Sequence, residues 1–534
     1  MTDQPMRRAE QWAVFAACAV ASAMAACWSW QHNAMLNYGD AVAHLHIARR
    51  TFDSHQPGFE QLGSVWLPLP HILMVPFVAV YSWWANGIAG LIPSALAYLA
   101  SCIAMYGLAR HWLTPAASAA ALAFFALNPN LLYLQTTAMT EPLFLCIMLW
   151  TALWLVEWRL SLDSAPLRTN RLQWLVALAL VAAIFTRYDG WILALLAWTG
   201  MGIVLLRRGK LRQRSFWWAS ALVVAAPLFW FAYNQIAFGD WLGFARGPYS
   251  AAAIEARTST GSGPPHPGWH NPWVSFLFFM KCAELDTAAQ AWANTMLVIS
   301  LMGTLYAWFI ARRRAITWAL LLWLPVPFYA YSIAWGSVPI FLPVWWPHSY
   351  YNTRYGMELL PALALGIGFA VFGFIRGAQT YRSSLKPLAA TFAFALIAWN
   401  SWKILADRPL TYVEGTWNVR SRLAYESEIP PTLRALLANH PGAEILMNTS
   451  YDPMLVALTG IPLHQTINEG DFHTWERALT APANHASIVL AFDGDEVARA
   501  VEQHPECLRL VRQFHTPGQP SASLYISLNK APTQ

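Results

Sequence analysis

Long apolar runs broken by short polar stretches set the rhythm of this chain. Runs suited to spanning a bilayer lie near 11–30, 88–109, 116–133, 142–158, 172–187, 190–206, 216–236, 288–311, 316–335, 354–375 and 386–404. A transmembrane helix needs about 20 mostly apolar residues. A further run, 67–84, holds Pro68, Pro70 and Pro76 and is short for a full crossing. Basic clusters decide the sidedness, because cytoplasmic loops gather Lys and Arg. They occur at Arg7-Arg8, around Arg110-His111, at Arg159 with Arg168 and Arg171, from Arg207 to Arg214, at Arg312-Arg313-Arg314, and from Arg376 to Lys386. With 67–84 re-entrant or flat on the outer face, the eleven other spans put every cluster inside. With 67–84 crossing, the later clusters move outside. The pattern therefore predicts eleven crossings, N-terminus in and C-terminus out, in a multi-pass protein of the plasma (inner) membrane.

This topology leaves four segments on the outer (periplasmic) side: about 31–66, 237–287, 336–353, and the tail from about 405. The second is long and includes Gly261 to Gly268, which makes it a candidate lid. In the tail the rhythm changes. Glu444 to Asn448 and Ile488 to Phe492 read as strands, Asp495 to Gln503 as a helix, and Leu508 to Phe514 with Ala522 to Ile526 as closing strands. The predicted fold class is an all-α polytopic membrane domain over 1–405, with a small C-terminal α/β extramembrane domain over 406–534. No internal repeat of the kind transporters show is present.

Composition narrows the class. Hydrophobic residues make up 57% and charged residues 12%, against about a quarter charged in soluble domains. The 30 tryptophans suit membrane–water interfaces. The net charge of +6 comes from the short basic clusters. No basic patch with interleaved aromatics points to nucleic acid. Of the six cysteines, Cys18, Cys27, Cys102 and Cys146 lie in apolar runs, and no CxxC or zinc-ligand spacing occurs. The first run has no obvious small-residue cleavage site after it and reads as an uncleaved span.

Four polar motifs sit at the ends of apolar runs, all on the predicted outer side: Gly39-Asp40 with His44 and His46, Thr140-Glu141-Pro142, Thr186-Arg187-Tyr188-Asp189, and Asn352-Thr353-Arg354-Tyr355. Charges gathered at one interface suit chemistry there, whereas conduction more often buries them at mid-depth. Asp40 heads a predicted surface helix and shares a face with His44, four residues on. It fits a helix cap and equally a base for an attacking hydroxyl. Glu141 before Pro142 is an ordinary helix start for dipole reasons. Arg187 and Asp189 fit a salt-bridged turn, or an arginine aimed at an anion. Arg354 is harder to read as ordinary. A positive charge is disfavoured at a helix N-terminus and on the outer side, so an anion should compensate it. The planar guanidinium fork suits phosphate.

These motifs together resemble the GT-C superfamily of integral-membrane glycosyltransferases, which includes protein O-mannosyltransferases and the aminoarabinose transferases of lipid A. The resemblance covers about residues 1–405. It is carried by Gly39-Asp40 in the first outer loop, the helix with His44, the proline-rich Trp66 to Pro76, the span start Pro93 to Leu96, Thr140-Glu141-Pro142, and the Arg-Tyr pairs at Arg187 and Arg354 with Pro361 beyond. It implies a donor sugar on a polyprenyl phosphate and a lipid, glycan or protein acceptor. By the same resemblance Asp40 and Glu141 would be catalytic, with His44, Arg187, Asp189, Arg354 and Tyr355 binding substrate. The family often has two adjacent acids in the first loop; here Ala41 follows Asp40. One carboxylate and one histidine are a thin ligand set, so a divalent metal is left open and no other cofactor is implied. The alternative from another class is a transporter or flippase of lipid-linked saccharide.

Overall fold

Without water to bond to, a backbone crossing lipid must satisfy its own amides, which leaves the helix as the natural form for each apolar run. The computed structural model describes residues 6–247, 249–258, 264–311, 315–516 and 519–529. Among them nine helices are long and apolar enough to cross a membrane. They are Arg8–Gln31, Ile88–Arg110, Glu141–Ser161, Asp189–Arg207, Arg214–Phe238, Ala293–Ala311, Ile316–Trp335, Thr353–Tyr381 and Leu385–Val419.

The other two expected spans differ for local reasons. The run 116–133 breaks into Pro115–Ala126 and Pro129–Leu134, because the Asn128 side chain caps a new helix by accepting from the Asn130 and Leu131 amides. The run 172–187 joins the Pro166–Ile184 helix, whose first turns carry Arg168, Asn170, Arg171 and Gln173. The doubtful run 67–84 becomes two short helices, Leu69–Val78 and Tyr81–Asn86. Ten helical residues extend only about 15 Å, half a hydrocarbon core. The Arg312–Arg314 cluster and Gly261–Gly263 lie outside the described residues.

By its internal contacts the chain forms two compact units. The first holds Met1–His32, Ser64–Pro70 and Pro93–Glu414; the second holds Asn33–Gly63, His71–Ile92 and Gly415–Gln534. These units do not follow a single cut near residue 405, because two early segments belong with the tail.

The first unit is the helix bundle. Its tightest crossing is between Ala293–Ala311 and the Leu360–Tyr381 helix. A Cβ on Gly303 would run into the Gly366 carbonyl, and one on Gly366 into the Ser300 backbone. Small residues that let backbones touch are how helices pack where lipid removes the hydrophobic drive. Ser300 Oγ adds a hydrogen bond to the Leu363 carbonyl at 2.8 Å. The expected lid is partly a packed element. Its last third is the helix Pro272–Thr287, buried from Cys282 to Thr287.

The second unit is built on a five-stranded sheet. Its strands are β1 Ile445–Met447, β2 Thr466–Ile467, β3 Ile488–Phe492, β4 Leu508–Phe514 and β5 Ala522–Ser527, in the order β2-β1-β3-β5-β4. β1 pairs in parallel with β2 and β3; β5 runs antiparallel to β3 and β4. The central β3 is buried throughout, and Leu446, Ile467, Val489, Trp475, Val497 and Val501 meet in the core. β2 is two residues long and has no sequence signature of its own.

The early segments are stitched into this unit by named bonds. The Gly39 amide donates to Asn418 Oδ1 at 2.9 Å, and Arg422 Nη2 donates to the Leu36 carbonyl at 2.8 Å. Asp53 accepts from Arg49 Nε at 2.6 Å and from the Leu463 and His464 amides at 3.2 and 3.1 Å. Arg49 in turn lies over the Trp84 ring, 4.7 Å from its centroid. Burial raises the Asp53 carboxyl, but its bonds from His464, Arg49 and Leu463 outweigh that and hold it below the usual range.

Asp452 shows the opposite balance. It is fully buried, with Oδ1 taken by the Met454 amide at 3.0 Å and Oδ2 without a hydrogen-bond partner. Burial, and then the negative charge of Glu426, push its pKa from 3.8 up to about 8. The folded form then keeps a proton that the unfolded chain gives up above about pH 4. Stability therefore falls as pH rises from about 4 to about 8. Asp452→Asn is expected to raise the melting temperature at pH 8 and change it little at pH 5. An unchanged melting temperature at both values would contradict this assignment.

Candidate functional site

Of the expected site residues, the first unit brings together Glu141, Arg187, Asp189, Arg354 and Tyr355. Glu141 begins the Glu141–Ser161 helix with Pro142 in its first turn, as the dipole argument expects. Arg187 and Asp189 sit in the tight turn between Pro166–Ile184 and Asp189–Arg207. Arg354 and Tyr355 lie on the 3₁₀ segment Thr353–Leu359 that opens the next long helix.

The two arginines share one carboxylate. Glu141 Oε1 lies 3.3 Å from Arg187 Nη1 and 3.2 Å from Arg354 Nε. Arg187 also donates from Nη1 to Thr140 Oγ1 at 2.9 Å and from Nη2 to the Tyr329 hydroxyl at 2.7 Å. Its Nη2 lies 2.8 Å from Glu358 Oε1, and its Nε lies 3.4 Å from Asp189 Oδ2. Arg354 Nη1 meets Glu414 Oε1 at 3.1 Å. The other Glu414 oxygen accepts from Thr353 Oγ1 at 2.8 Å and from the Arg354 amide at 3.2 Å. The anion required beside Arg354 is thus supplied by the protein itself, as Glu141 and Glu414.

Tyr355 joins the two cations. Its ring centroid lies 5.2 Å from the Arg187 guanidinium carbon and 4.9 Å from that of Arg354, within cation–π range. Tyr329 stacks on it at 5.1 Å, and Phe279 stacks on Tyr329 at 4.8 Å. Glu141, Glu358, Asp189 and Arg354 are almost wholly buried, while the Arg187 side chain keeps 15% exposure. Arg187 is therefore the more reachable of the two cations.

Behind the cluster stands a polar support. The helix Pro272–Thr287 and the segment Thr353–Leu359 approach so closely that a Cβ on Gly356 would press on the Ala283 amide and the Asp286 carboxyl. Cys282 Sγ donates to the Thr353 carbonyl at 2.8 Å. The Asp286 carbonyl accepts from Asn128 Nδ2 at 2.9 Å and from Asn130 Nδ2 at 2.8 Å. Burial, and then the charge of Glu414, push the Asp286 carboxyl well above the ordinary range.

Asp40 and His44 belong to the second unit, on the helix Gly39–Arg50. Asp40 is half-buried in the first turn. His44 is buried, with Nδ1 2.8 Å from His71 Nε2. His46, on the same helix, packs its ring 5.0 Å from Trp84. Burial, and then the positive charges of Arg50 and Arg49, lower its pKa to about 3, so it is neutral at physiological pH. Among the described residues no group of three or more His, Cys, Asp or Glu side chains is arranged to hold a metal ion.

Sequence reasoning missed Tyr329, Glu414 and the part played by Glu358. Glu358 follows Arg354 by four residues, a spacing that marks neighbours on a helical face. Nothing local marks Tyr329. Glu414 fell in the stretch assigned to the tail.

No protein-family model and no curated protein sequence matches the chain. Solved structures do. ArnT from Cupriavidus metallidurans in the apo state superposes with a TM-score of 0.59 at 14% identity, covering 99% of this chain and 100% of that one. The same protein bound to undecaprenyl phosphate gives 0.57 at 13%, covering 96% and 99%. The likeness is one of fold along nearly the whole chain: a domain of many long apolar helices with a small α/β domain near the C-terminus.

Proposed function

We propose that the chain is a membrane glycosyltransferase that moves a sugar from a polyprenyl-phosphate donor to an acceptor hydroxyl on the outer face of the membrane. The observation that carries this reading is Arg187. It is a guanidinium fixed at the ends of the apolar helices and held from both sides, in a side chain that keeps 15% exposure. Support comes from the fold shared with an ArnT structure that carries undecaprenyl phosphate. Fold alone does not set activity, so the site residues bear the argument.

In the proposed reaction Asp40 takes the proton of the acceptor hydroxyl as that oxygen bonds to the anomeric carbon. The bond from that carbon to the phosphate oxygen breaks, and its electron pair stays on the departing polyprenyl phosphate. Arg187 and Arg354 answer the charge that develops there. A positioned charge or donor in a water-poor site contributes a few kcal/mol to such a step. Glu141 orients both guanidiniums through its shared oxygen.

The test is a donor panel. Purified protein in lipid is given polyprenyl phosphates bearing different hexoses and pentoses, with crude envelope acceptor. Release of free polyprenyl phosphate with one donor is the expected result. Saccharide crossing the bilayer, with no release from any donor, would instead favour a flippase.

A further inference from the structure

The strongest unassigned feature is the way Arg187 is held. Tyr329 is fully buried, and its hydroxyl sits 2.7 Å from both Arg187 Nη2 and Glu358 Oε1. Arg187 Nη2 and Glu358 Oε1 are themselves 2.8 Å apart. Three polar atoms from three separate elements thus close a triangle. Guanidinium nitrogen only donates and a carboxylate only accepts. That fixes the pattern: Nη2 donates to the phenol oxygen, the phenol donates to Glu358, and Nη2 faces Glu358 Oε1 as an ion pair. The opposite nitrogen, Nη1, is held by Thr140 Oγ1 and Glu141 Oε1. The guanidinium plane therefore has no freedom to rotate without breaking charge-assisted bonds in a buried setting.

Resting on the transferase reading above, we infer that Glu358 and Tyr329 are positioning residues, which lock the guanidinium plane of Arg187 relative to the departing phosphate. They touch no reacting atom. Tyr329 also carries the aromatic stack with Phe279 and Tyr355. One side chain thus sets both the plane of Arg187 and the ring lying against it. Tyr329→Phe deletes the hydroxyl and keeps the stack. Glu358→Gln alters the charge on the other corner. Misplacing a catalytic group by about 1 Å can cost about 100-fold in rate.

The experiment measures transfer kinetics, binding of polyprenyl phosphate alone, and melting temperature. It compares wild type, Tyr329→Phe, Glu358→Gln, Arg187→Lys, and Tyr329→Phe combined with Arg187→Lys. The expected result is a kcat lowered about 10- to 100-fold by Tyr329→Phe, with KM for the donor and the Kd of polyprenyl phosphate changed less than about threefold. In the Arg187→Lys background the same substitution should have no further effect on kcat, because the fork it orients is gone. Two outcomes would overturn the inference. One is an undiminished kcat in Tyr329→Phe. The other is an equal loss in both backgrounds, which would mean that Tyr329 acts without Arg187. Should Glu358→Gln fail to fold, Tyr329→Phe still decides the matter. A wild-type protein silent toward every donor would sink the transferase reading itself, and is told apart because the failure precedes any substitution.

Discussion

Asp40→Asn is expected to lower sugar transfer by about 10²–10⁴-fold, the range general base catalysis supplies. Asp40 lies inside the first turn of the helix Gly39–Arg50, past its cap position Tyr38, and asparagine keeps the shape of its side chain but cannot take a proton. The substitution therefore separates the two roles that Asp40 fits. An aspartate that serves only the helix start would lose little stability and no specific rate on going to Asn. A base would lose rate while the protein melts as before and binds polyprenyl phosphate as before. The Gly39 amide bond to Asn418 and the Arg422 bonds to the Leu36 and Asn37 carbonyls do not involve the carboxylate. The surrounding backbone should accordingly stay in place. Full activity in Asp40→Asn would remove this residue from the mechanism.

Arg354→Met is expected to destabilise the protein by about 3–5 kcal/mol, the usual cost of removing one partner from a buried ion pair. Arg354 lies between Glu141 and Glu414, and all three side chains are nearly inaccessible. Without the cation, Glu414 loses this ion pair while keeping its bonds from Thr353 and the residue 354 amide, and Glu141 keeps its ion pair with Arg187. The diagnostic comparison is the double variant Arg354→Met with Glu414→Gln. Neutralising one stranded carboxylate should recover part of the loss in melting temperature, so the two substitutions should combine to less than their sum. Additive losses would show that Arg354 is held by something other than these acids. Arg354→Lys keeps the charge but loses the fork. It should fold better than Arg354→Met and still transfer poorly.

Much of this could be read from the residues, and what could not has physical causes. Helices form along all the apolar runs because lipid leaves a backbone no other choice. The exceptions arose where a local signal outvoted hydropathy, as at Asn128, whose side chain starts a new helix inside an apolar run. The arginine at position 354 was legible as a problem, a cation at a helix start, and the structure supplies its solution. Half of that solution, Glu141, was on the page as a motif. Glu414 was not, because it lies 60 residues away in sequence, where only the fold brings it close. The triangle around Arg187 was hidden for the same reason. Its corners come from the turn at Arg187, the helix of Tyr329 and the 3₁₀ segment of Glu358, and no spacing rule joins them. In the second unit the longer strands announced themselves by composition. The two-residue β2 and the recruitment of Asn33–Gly63 did not, since both depend on pairing rather than on local preference.

That recruitment has a consequence for how the protein is made. The segment carrying Asp40 is synthesised almost at the start of the chain, yet the groups that hold it arrive at the end. Asn418, Arg422 and the Leu463-His464 amides lie 379 to 411 residues further on than Gly39, Leu36 and Asp53. Ribosomes add about 5–20 residues per second, so the early loop waits on the order of tens of seconds for its partners. During that interval Asp53 and Arg49 have only each other and local groups to bond. A nascent chain stopped before residue 415 would expose this unfinished surface however well its membrane helices had packed. Quality control at the membrane thus has a marker of completion in the segment carrying Asp40, which settles only when the last part of the chain has been delivered.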